Sequence, residues 1–597
     1  MQYSLKFLAA AILLSGLLTA CFAKSDLTIK PTGGINPGGK PSPSDPDHPK
    51  TIVGDPSLRP PILLAQLKND KGEEMTVTRG DKNYGVYSRL PDDDPRFVVF
   101  RQLYSANREY RLLVELIQAA RRFHSSSGKV PAGLDPVNWQ RSLDDPLYLA
   151  IEGDLSDNAW VGLVIRTEQG DEDHLLTHFI GGATSVDKMS EPIFMDLLFH
   201  ETGHILFHWA GAPWLVGPWT ILCGRTGSLE RISSVARMRG GPLHDIQLTT
   251  FDSYAMDEGL AETWPVLASL NKPVGVVDQW KLDPKKALSA VSRHTTRPTR
   301  EDMIRWNRLI FEPPMPTPEQ EATLGFDASL LLYRNSMPID NHRLRPCRAQ
   351  MATEGVMASL FLRLAANQDL QEAPIPADLL AKVVPTDITP ADWLAGLGPE
   401  GRGMLRLVLV ILSMDGVNPN LVMLDAGFHE LMKTWLKVLP SDTAIVVRTI
   451  VSTTMGVTVS LELASKIRRF LAANEIGSPS SKKPNQAFVL MDELLAKADE
   501  IEDADLLFAA CGPSLWVRIE GKKLCNEYGR CLPFEVDLNA AEEMDFRMFT
   551  GITAARAKKL IEIRDKKGWF ASVEEFFTIA NIKAKERASI RVLPTGN

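Results

Sequence analysis

The stretch His200-Glu201-Thr202-Gly203-His204 decides how the middle of this chain is interpreted. It lies in a segment where apolar residues recur at helical spacing after a capping residue, Ser190. Residues four apart lie on one helix face, so both imidazoles can reach one cation while Glu201 projects beside it. The stretch therefore predicts a helix with a Zn²⁺ site, in which His200 and His204 are ligands and Glu201 is the general base.

A catalytic zinc site needs a third protein ligand, and the same helix does not provide one. His208 continues the series, but it lies about 12 Å along the helix from His200, which is too far to share one ion. We therefore interpret His208 as a packed or solvent-facing residue. A longer motif with glycine at position 207 and histidine at position 210 is excluded, because the chain has Phe207 and Ala210 there.

The stretch Asp257-Glu258-Gly259-Leu260-Ala261-Glu262 offers the missing ligand. Glu258 and Glu262 lie one helical turn apart, so their carboxylates point the same way. Together with the first stretch, it resembles the gluzincin metallopeptidases, whose third ligand is a glutamate on a second helix. The resemblance implies that Glu258 is the ligand and that Glu262 accepts a hydrogen bond from a ligand histidine. The alternative is an acidic, solvated helix face.

This resemblance covers about residues 160–270 and implies a zincin-like α+β fold, with a small sheet and active-site helices, that hydrolyses peptide bonds. Two strand-like runs, 160–167 and 174–180, are separated by polar residues 168–173, which predicts a hairpin. Tyr254 lies one turn before Glu258 and is a candidate donor to the oxyanion of the tetrahedral intermediate. A core tyrosine explains the position equally well, and His178 and His244 are weaker candidates.

The N-terminus predicts export. Residues 1–21 combine one lysine, an apolar run too short to span a membrane, and the ending Leu18-Thr19-Ala20-Cys21. This ending resembles the lipobox of bacterial lipoproteins and implies that Cys21 is lipidated and anchors the protein to a membrane. Phe22, by resemblance to Gram-negative lipoproteins, favours the outer membrane. A plain signal peptide or an uncleaved anchor is the alternative.

Charge and cysteine content limit the other functions. The 597 residues carry 66 Lys and Arg against 74 Asp and Glu, so the formal net charge of −8 excludes a chain-wide attraction for nucleic acid. Besides Cys21 there are five cysteines, at 223, 347, 511, 525 and 531, so at least one lacks an intramolecular partner. Cys525 and Cys531 flank a turn-forming stretch and are a candidate disulfide, with two free thiols as the alternative.

The rest of the chain divides by composition. Residues 22–61 form a Pro/Gly-rich linker, and residues 62–280 form the predicted catalytic domain. Helical patterns dominate residues 281–510 and predict a helical domain. The predicted helical stretches are 351–365, 403–413, 421–439, 457–473 and 487–498. Residues 511–534 are a turn-rich connector with cysteines, and residues 535–597 form a last module.

This last module resembles the helix-hairpin-helix domain of competence-type DNA receptors. In that family each hairpin has a Gly-x-Gly turn whose backbone N–H groups face phosphates. Here the turns are Gly551-Ile552-Thr553 and Asn581-Ile582-Lys583, and residues 535–597 hold 11 basic and 10 acidic residues. We therefore favour packing or protein contacts over duplex binding for this module.

The sequence as a whole predicts an exported zinc metallopeptidase that acts on a peptide or protein in the cell envelope. One alternative is a binding or scaffolding lipoprotein without turnover. The other is an envelope protein that binds DNA through its last module.

Overall fold

The fold is known from a computed structural model that describes residues 60–80, 82–128, 130, 134–150, 158–181, 192–210, 252–270, 339–340, 343–414, 427–473, 493–501, 504–525 and 531–593. All of these residues fall within one of two units of the chain, Ile52–Asn597. The predicted signal peptide with Cys21 and almost all of the linker lie outside the described residues. Cys223 and His244 lie outside them as well.

Strands at both ends of the described chain form small sheets. The strands are β1 Ile62–Gln66, β2 Thr76–Arg79, β3 Lys82–Arg89, β4 Tyr148–Ala150, β5 Asn158–Thr167, β6 Gly170–Gly181, β7 Ile339–Asp340, β8 Arg343–Leu344, β9 Trp516–Cys525, β10 Cys531–Asp537 and β11 Ile590–Val592. The first six form one mixed sheet in the order β1-β4-β6-β5-β3-β2, and β1 also pairs with β3. Through this extra pairing, five of the strands close into a small barrel, which leaves β2 at its margin.

Alternation along the strands gives the barrel an interior and an outer face. Its interior is a separate cluster of buried side chains: Leu64, Tyr87, Tyr148, Ala150, Leu163, Ile165 and Phe179. Their neighbours Leu63, Leu149 and Ile180 belong instead to the main core formed with the helices. The barrel therefore packs against the helices that carry the predicted metal site.

The predicted hairpin is confirmed, but its loop is shorter than the sequence suggested. β5 and β6 are antiparallel, and their pairing continues to Thr167 and Gly170, so only residues 168 and 169 connect them. The prediction that residues 170–173 are loop is wrong. Their polar side chains fit the strand because this end of the hairpin faces solvent, where Asp171 forms an ion pair of 2.8 Å with Arg166.

Helices make up most of the described chain. They are α1 Pro95–Ala106, α2 Arg108–Ser127, α3 Pro136–Asp144, α4 Pro192–Ala210, α5 Asp252–Leu270, α6 Cys347–Met351, α7 Glu354–Ala366, α8 Gln368–Glu372, α9 Ala377–Leu380, α10 Pro390–Leu412, α11 Gly427–Val438, α12 Thr443–Thr453, α13 Leu461–Ala473, α14 Ala504–Leu507, α15 Glu543–Arg547, α16 Ala554–Lys567, α17 Val573–Ile579 and α18 Ala584–Arg587. Among the described helices, none is both long and apolar enough to cross a membrane.

One hydrophobic core crosses the boundary that the sequence suggested at residue 280. Its buried members run from Leu63 to Cys511 and come from the barrel, from α1 to α5 and from the later helices. Of the later helices, α7, α11 and α13 coincide with predicted stretches, and residues 493–498 of the last predicted stretch are helical. α10 begins at Pro390, well before the predicted start at 403, and α12 was not predicted. The predicted catalytic and helical regions therefore bury their apolar surfaces against each other.

A disulfide joins Cys347, the first residue of α6, to Cys511, which lies 164 residues later. The sequence had proposed a different pair. Cys525 and Cys531 end β9 and begin β10 and are direct partners across the hairpin, but their side chains lie outside the described part of the structure. That proposed disulfide therefore stays a prediction.

The last module has its own core. β9 pairs with both β10 and β11, and α15 to α17 pack on this sheet around buried residues such as Phe546, Phe570 and Phe576. Two arginines of the helical region hold this part of the chain: Arg348 donates to the Gly512 carbonyl of the connector at 3.0 Å, and Arg468 donates to the Asp565 carbonyl of the module at 3.0 Å. The module is therefore packed against the rest of the described chain.

Candidate metal centre

The predicted motif lies in α4, which packs between α2 and α5 in the main core. Thr202 of the motif is fully buried, and its hydroxyl lies 3.0 Å from the hydroxyl of Tyr110 on α2. This contact fixes the side of α4 that faces α2. His200 and His204 therefore face α5 on the other side.

Two glycines allow α5 to approach its neighbours closely. A Cβ atom on Gly203 would lie 2.7 Å from the Cα of Ala261, and one on Gly259 would lie 2.5 Å from the Cβ of Met357. α5 therefore packs closely against both α4 and α7 near Glu258, and a larger residue at position 203 or 259 would separate the helices.

The side chains of His200, His204 and Glu258 converge as the sequence predicted. Their ligand atoms all lie within 4.8 Å of one another. The two Nε2 atoms are 3.2 Å apart, and Glu258 Oε2 lies 3.4 Å from each of them. A tetrahedral zinc ion with bonds of about 2.05 Å separates its ligand atoms by about 3.3 Å. The three atoms therefore stand at the spacing of three corners of a zinc tetrahedron.

Carboxylates hold the other nitrogen of each ring. His204 Nδ1 donates to Asp257 Oδ1 at 2.7 Å, and His200 Nδ1 lies 3.3 Å from Glu262 Oε1. A carboxylate that accepts from Nδ1–H leaves the lone pair on Nε2, the atom that faces the centre. The donor set therefore fits zinc in ligand type and spacing, and for His204 also in tautomer. Glu262 lies where the resemblance implied.

The acidic groups around the centre raise the pKa of both proposed ligand histidines. Burial disfavours the imidazolium of His200, but Glu258 and Glu262 outweigh it and raise the pKa of His200 to about 9. Burial opposes the charge of His204 too, but Asp257 and Glu258 raise its pKa well above the usual value. Burial raises the pKa of Asp257, but His204 and His208 more than offset it and hold this pKa below its usual range. The centre is therefore electrostatically adapted to positive charge.

Of the other predicted site residues, only Glu201 has a side chain within the described part of the structure. Glu201 is buried on α4 beside His200. Tyr254 lies in α5 one turn before Glu258, and His178 lies in β6, but both side chains lie outside the described part of the structure. His244 lies outside the described residues. The role proposed for Tyr254 therefore stays a prediction.

Sequence reasoning missed Asp257, whereas His208 is buried, as the packed alternative for this residue predicted. Asp257 is buried and contacts two histidines, His204 through Oδ1 and His208 through Oδ2, the latter at 3.5 Å from His208 Nε2. The available signal was the pair of adjacent acids at 257 and 258. Their side chains lie about 100° apart around the helix, so one can approach the metal position while the other approaches the rear of a ring.

The two hairpin turns of the last module have similar backbones. Gly551 has φ 79° and Asn581 has φ 46°, so both occupy the left-handed region, and each is followed by a buried isoleucine, Ile552 or Ile582. Asn tolerates this conformation better than most residues. The second turn therefore keeps its shape without glycine.

The basic residues of α16 form a cluster, most of which is engaged: Arg556, Lys558, Lys559, Arg564, Lys566 and Lys567. Arg564 is buried and donates to the carbonyls of Leu538 and Ala541 at 3.2 and 2.6 Å. Arg556 donates to the Ala580 carbonyl, Lys559 pairs with Glu562 at 3.2 Å, and Lys567 pairs with Glu575. The positive charge of the cluster is therefore largely balanced within the module.

Comparison with known proteins assigns the last module only. Residues 535–591 match the helix-hairpin-helix motif family. No curated protein and no solved structure matches the chain. The described protein is thus a mixed α/β protein with a helix-hairpin-helix motif at residues 535–591.

Proposed function

We propose that this protein is a zinc-dependent peptidase. The observation that carries the proposal is the triangle of His200 Nε2, His204 Nε2 and Glu258 Oε2, with sides of 3.2, 3.4 and 3.4 Å. Three protein ligands leave the fourth corner of a tetrahedron for water or substrate, which is the arrangement of a catalytic zinc site. The sequence supports this assignment because it adds a glutamate, Glu201, directly after the first ligand.

His200, His204 and Glu258 would hold the ion, and Asp257 and Glu262 would orient the two rings. When bound, zinc supplies a Lewis acid that polarises a carbonyl group and makes water more acidic. Glu201 acts as the general base: its carboxylate accepts a proton from the attacking water and returns it to the leaving amine nitrogen. The substrate is a peptide or protein whose scissile carbonyl carbon is attacked by that water.

A gluzincin-like, zincin-type domain is part of the proposal. It is supported by the glutamate ligand on a second helix, α5, packed against the helix of the histidine motif, α4. The sheet of the described chain packs against the same core. A scaffold protein without turnover shares these features, so only a measured reaction separates the two.

The proposal is tested on the purified full-length protein with unstructured peptides as substrate. We expect one zinc per chain, hydrolysis that stops on chelation and returns with zinc, and loss of both zinc and hydrolysis in His200→Ala and Glu258→Ala. Zinc binding without hydrolysis of any peptide in a diverse mixture would favour the scaffold. A wild-type protein that retains no zinc would contradict both.

We further propose that the protein is exported and anchored through lipidated Cys21, at the outer membrane of a Gram-negative bacterium. The N-terminal sequence supports this, and so does the Cys347–Cys511 disulfide, since such bonds persist mainly in oxidising compartments. Cell fractionation with a labelled fatty acid tests it. Label should appear in the wild type and be lost in Cys21→Ser, and an unlabelled wild type would contradict the anchor.

Duplex DNA binding through the last module is a second candidate function. It is favoured by the left-handed residues Gly551 and Asn581, which preserve both hairpin turns, and opposed by the balanced charge of the module. Titration of the full-length protein with duplex DNA at increasing salt tests it. Binding that weakens steeply with salt would support this function, and no binding at low salt would exclude it.

A further inference from the structure

The helix of the histidine motif carries a third buried histidine with no role in the proposed reaction. His200, His204 and His208 follow one another at four-residue intervals on α4. The first two face Glu258, whereas His208 Nε2 lies 3.5 Å from Asp257 Oδ2. Asp257 therefore has one carboxylate oxygen directed to a proposed metal ligand and the other directed to His208.

We infer that His208 is a positioning residue of the zinc site, which acts by holding the Asp257 carboxylate against His204. This inference rests on the proposed zinc site. His208 is too far along the helix to be a ligand of the same ion. Its contribution is made through Asp257, whose Oδ1 accepts the hydrogen bond of 2.7 Å from His204 Nδ1.

The geometry explains why one contact on Asp257 is insufficient. A carboxylate held by a single donor can rotate about its last side-chain bond and change the direction in which it accepts. The hydrogen bond of 2.7 Å from His204 holds one oxygen, and His208, with Nε2 3.5 Å from the other oxygen, restricts the rotation that remains. The ring of His204 is then fixed in rotation, and its Nε2 is kept 3.4 Å from Glu258 Oε2.

Burial makes this restraint effective. Asp257 is 2% exposed and His208 is 6% exposed, so water does not readily replace either contact. The other ligand histidine is restrained differently, because His200 Nδ1 faces Glu262, which is only half-buried. The two halves of the site should therefore differ, because the His204 half depends on the buried pair of Asp257 and His208, with side chains 3% and 8% exposed, whereas the Glu262 side chain is 13% exposed.

Zinc affinity of the full-length protein tests the inference, measured by competition with a chromophoric chelator. Leucine at position 208 keeps much of the volume but removes the donor, whereas glutamine keeps an N–H donor. We expect His208→Leu to weaken zinc binding by roughly tenfold, as for other residues that support metal ligands, and His208→Gln to recover most of it. The Co²⁺-loaded His208→Leu protein should show an altered visible absorption spectrum, because the ligand geometry is less well fixed.

The matched control is His174, another buried histidine whose Nδ1 contacts an aspartate, Asp145, at 2.8 Å. His174→Leu should leave zinc affinity and the Co²⁺ spectrum unchanged. His208→Ala is the second variant if leucine prevents folding, with circular dichroism as the check. Wild-type affinity in folded His208→Leu, or equal weakening by leucine and glutamine, would overturn the inference. Equal weakening by His174→Leu would overturn it too, whereas a wild-type protein that binds no zinc would overturn the proposed function itself.

Discussion

The helix pair α4 and α5 and the C-terminal helix-hairpin-helix module both showed short motifs in the sequence, yet they encode function differently. In the helix pair, the proposed ligand atoms belong to side chains, and those of His200, His204 and Glu258 lie within 4.8 Å of one another. In the module, the functional groups of the family are backbone N–H groups, whose placement depends on conformation. Residue identity is thus a direct signal in the first region and an indirect one in the second.

Asn581 shows the consequence. The absence of glycine from the second hairpin turn argued against the family's backbone geometry, but Asn581 adopts φ 46° and keeps the turn in the left-handed region. No such substitution is available at the metal centre, where replacing an imidazole or a carboxylate removes the ligand atom. A motif of side chains therefore tolerates fewer changes than a motif of backbone.

The largest expected effect tests the side-chain motif. Glu201→Gln keeps the shape of the side chain but removes the base, so we expect kcat to fall by about 10²- to 10⁴-fold while zinc content stays near that of the wild type. Peptide hydrolysis and metal analysis on the same preparation measure both. Full activity in Glu201→Gln would show that another group accepts the proton.

The disulfide that joins α6 to the connector before the module should matter next. Cys347–Cys511 closes a long loop between the start of α6 and the connector to the module. We expect Cys347→Ser with Cys511→Ser to lower the free energy of unfolding by about 2–5 kcal/mol. Denaturant unfolding measures it, and the reduced wild type serves as the control. Equal stability of oxidised wild type and double variant would contradict a structural disulfide.

The pH dependence of zinc binding comes third. In the metal-free centre the pKa of His200 is raised from 6.5 to about 9, so zinc must displace a proton below that pH. We expect zinc affinity to rise by up to about tenfold per pH unit between pH 7 and 9 for that proton alone. Chelator competition at several pH values measures it.

The metal-free protein should respond to pH in the opposite direction. A raised histidine pKa stabilises the folded state fully below about 6.5, the unfolded value, and this contribution is lost as the pH rises through about 9. Chelator-treated protein should therefore unfold more easily at pH 9 than at pH 6.5. If zinc affinity and the stability of the metal-free protein changed in the same direction with pH, the proton would not be bound at His200.

The close helix contact gives a smaller effect. In Gly259→Ala the new Cβ would lie 2.5 Å from Met357 Cβ and 2.9 Å from the backbone nitrogen of Ala358, so α5 must shift. We expect a loss of about 1–3 kcal/mol in stability and weaker zinc binding. Gln368→Ala, on an exposed face, is the control and should change stability by less than about 0.5 kcal/mol. An unchanged melting temperature in Gly259→Ala would mean that the helices are farther apart.

The smallest expected effect concerns the backbone of the second hairpin turn, at Asn581. Asn581→Gly should leave stability nearly unchanged, because glycine adopts φ 46° freely. Asn581→Ala should cost about 1–2 kcal/mol, because alanine is strained in the left-handed region. Thermal unfolding of the two variants distinguishes them. Equal stabilities would show that the turn does not depend on this conformation.

The sequence predicted features whose signal is local. Helical periodicity located α4, α7, α10, α11 and α13, and four-residue spacing identified the two histidines that face Glu258. Features that depend on contacts distant in sequence were not predictable. The β1–β3 pairing that closes the barrel, the Cys347–Cys511 disulfide and the continuous core across residue 280 all join segments that sequence patterns treat separately.

The hydrogen-bond partners of buried polar groups were only partly predictable from the sequence. Glu262 was assigned to a ring nitrogen through the resemblance, and the structure places it 3.3 Å from His200 Nδ1. Asp257 was quoted in the same stretch without a role, because sequence spacing within α5 does not show which side of α4 it faces. That information appears only when the two helices are packed at Gly203.

X-ray absorption at the zinc edge, on the full-length protein loaded with one equivalent of zinc, measures whether His200, His204 and Glu258 bind the ion together. We expect two imidazole nitrogens and a carboxylate oxygen at about 2.0–2.1 Å from zinc, with a further light atom completing four-coordination. In His204→Ala, the contribution of one imidazole should be lost. An unchanged spectrum in both His204→Ala and Glu258→Ala would contradict it, because the zinc would then be bound elsewhere.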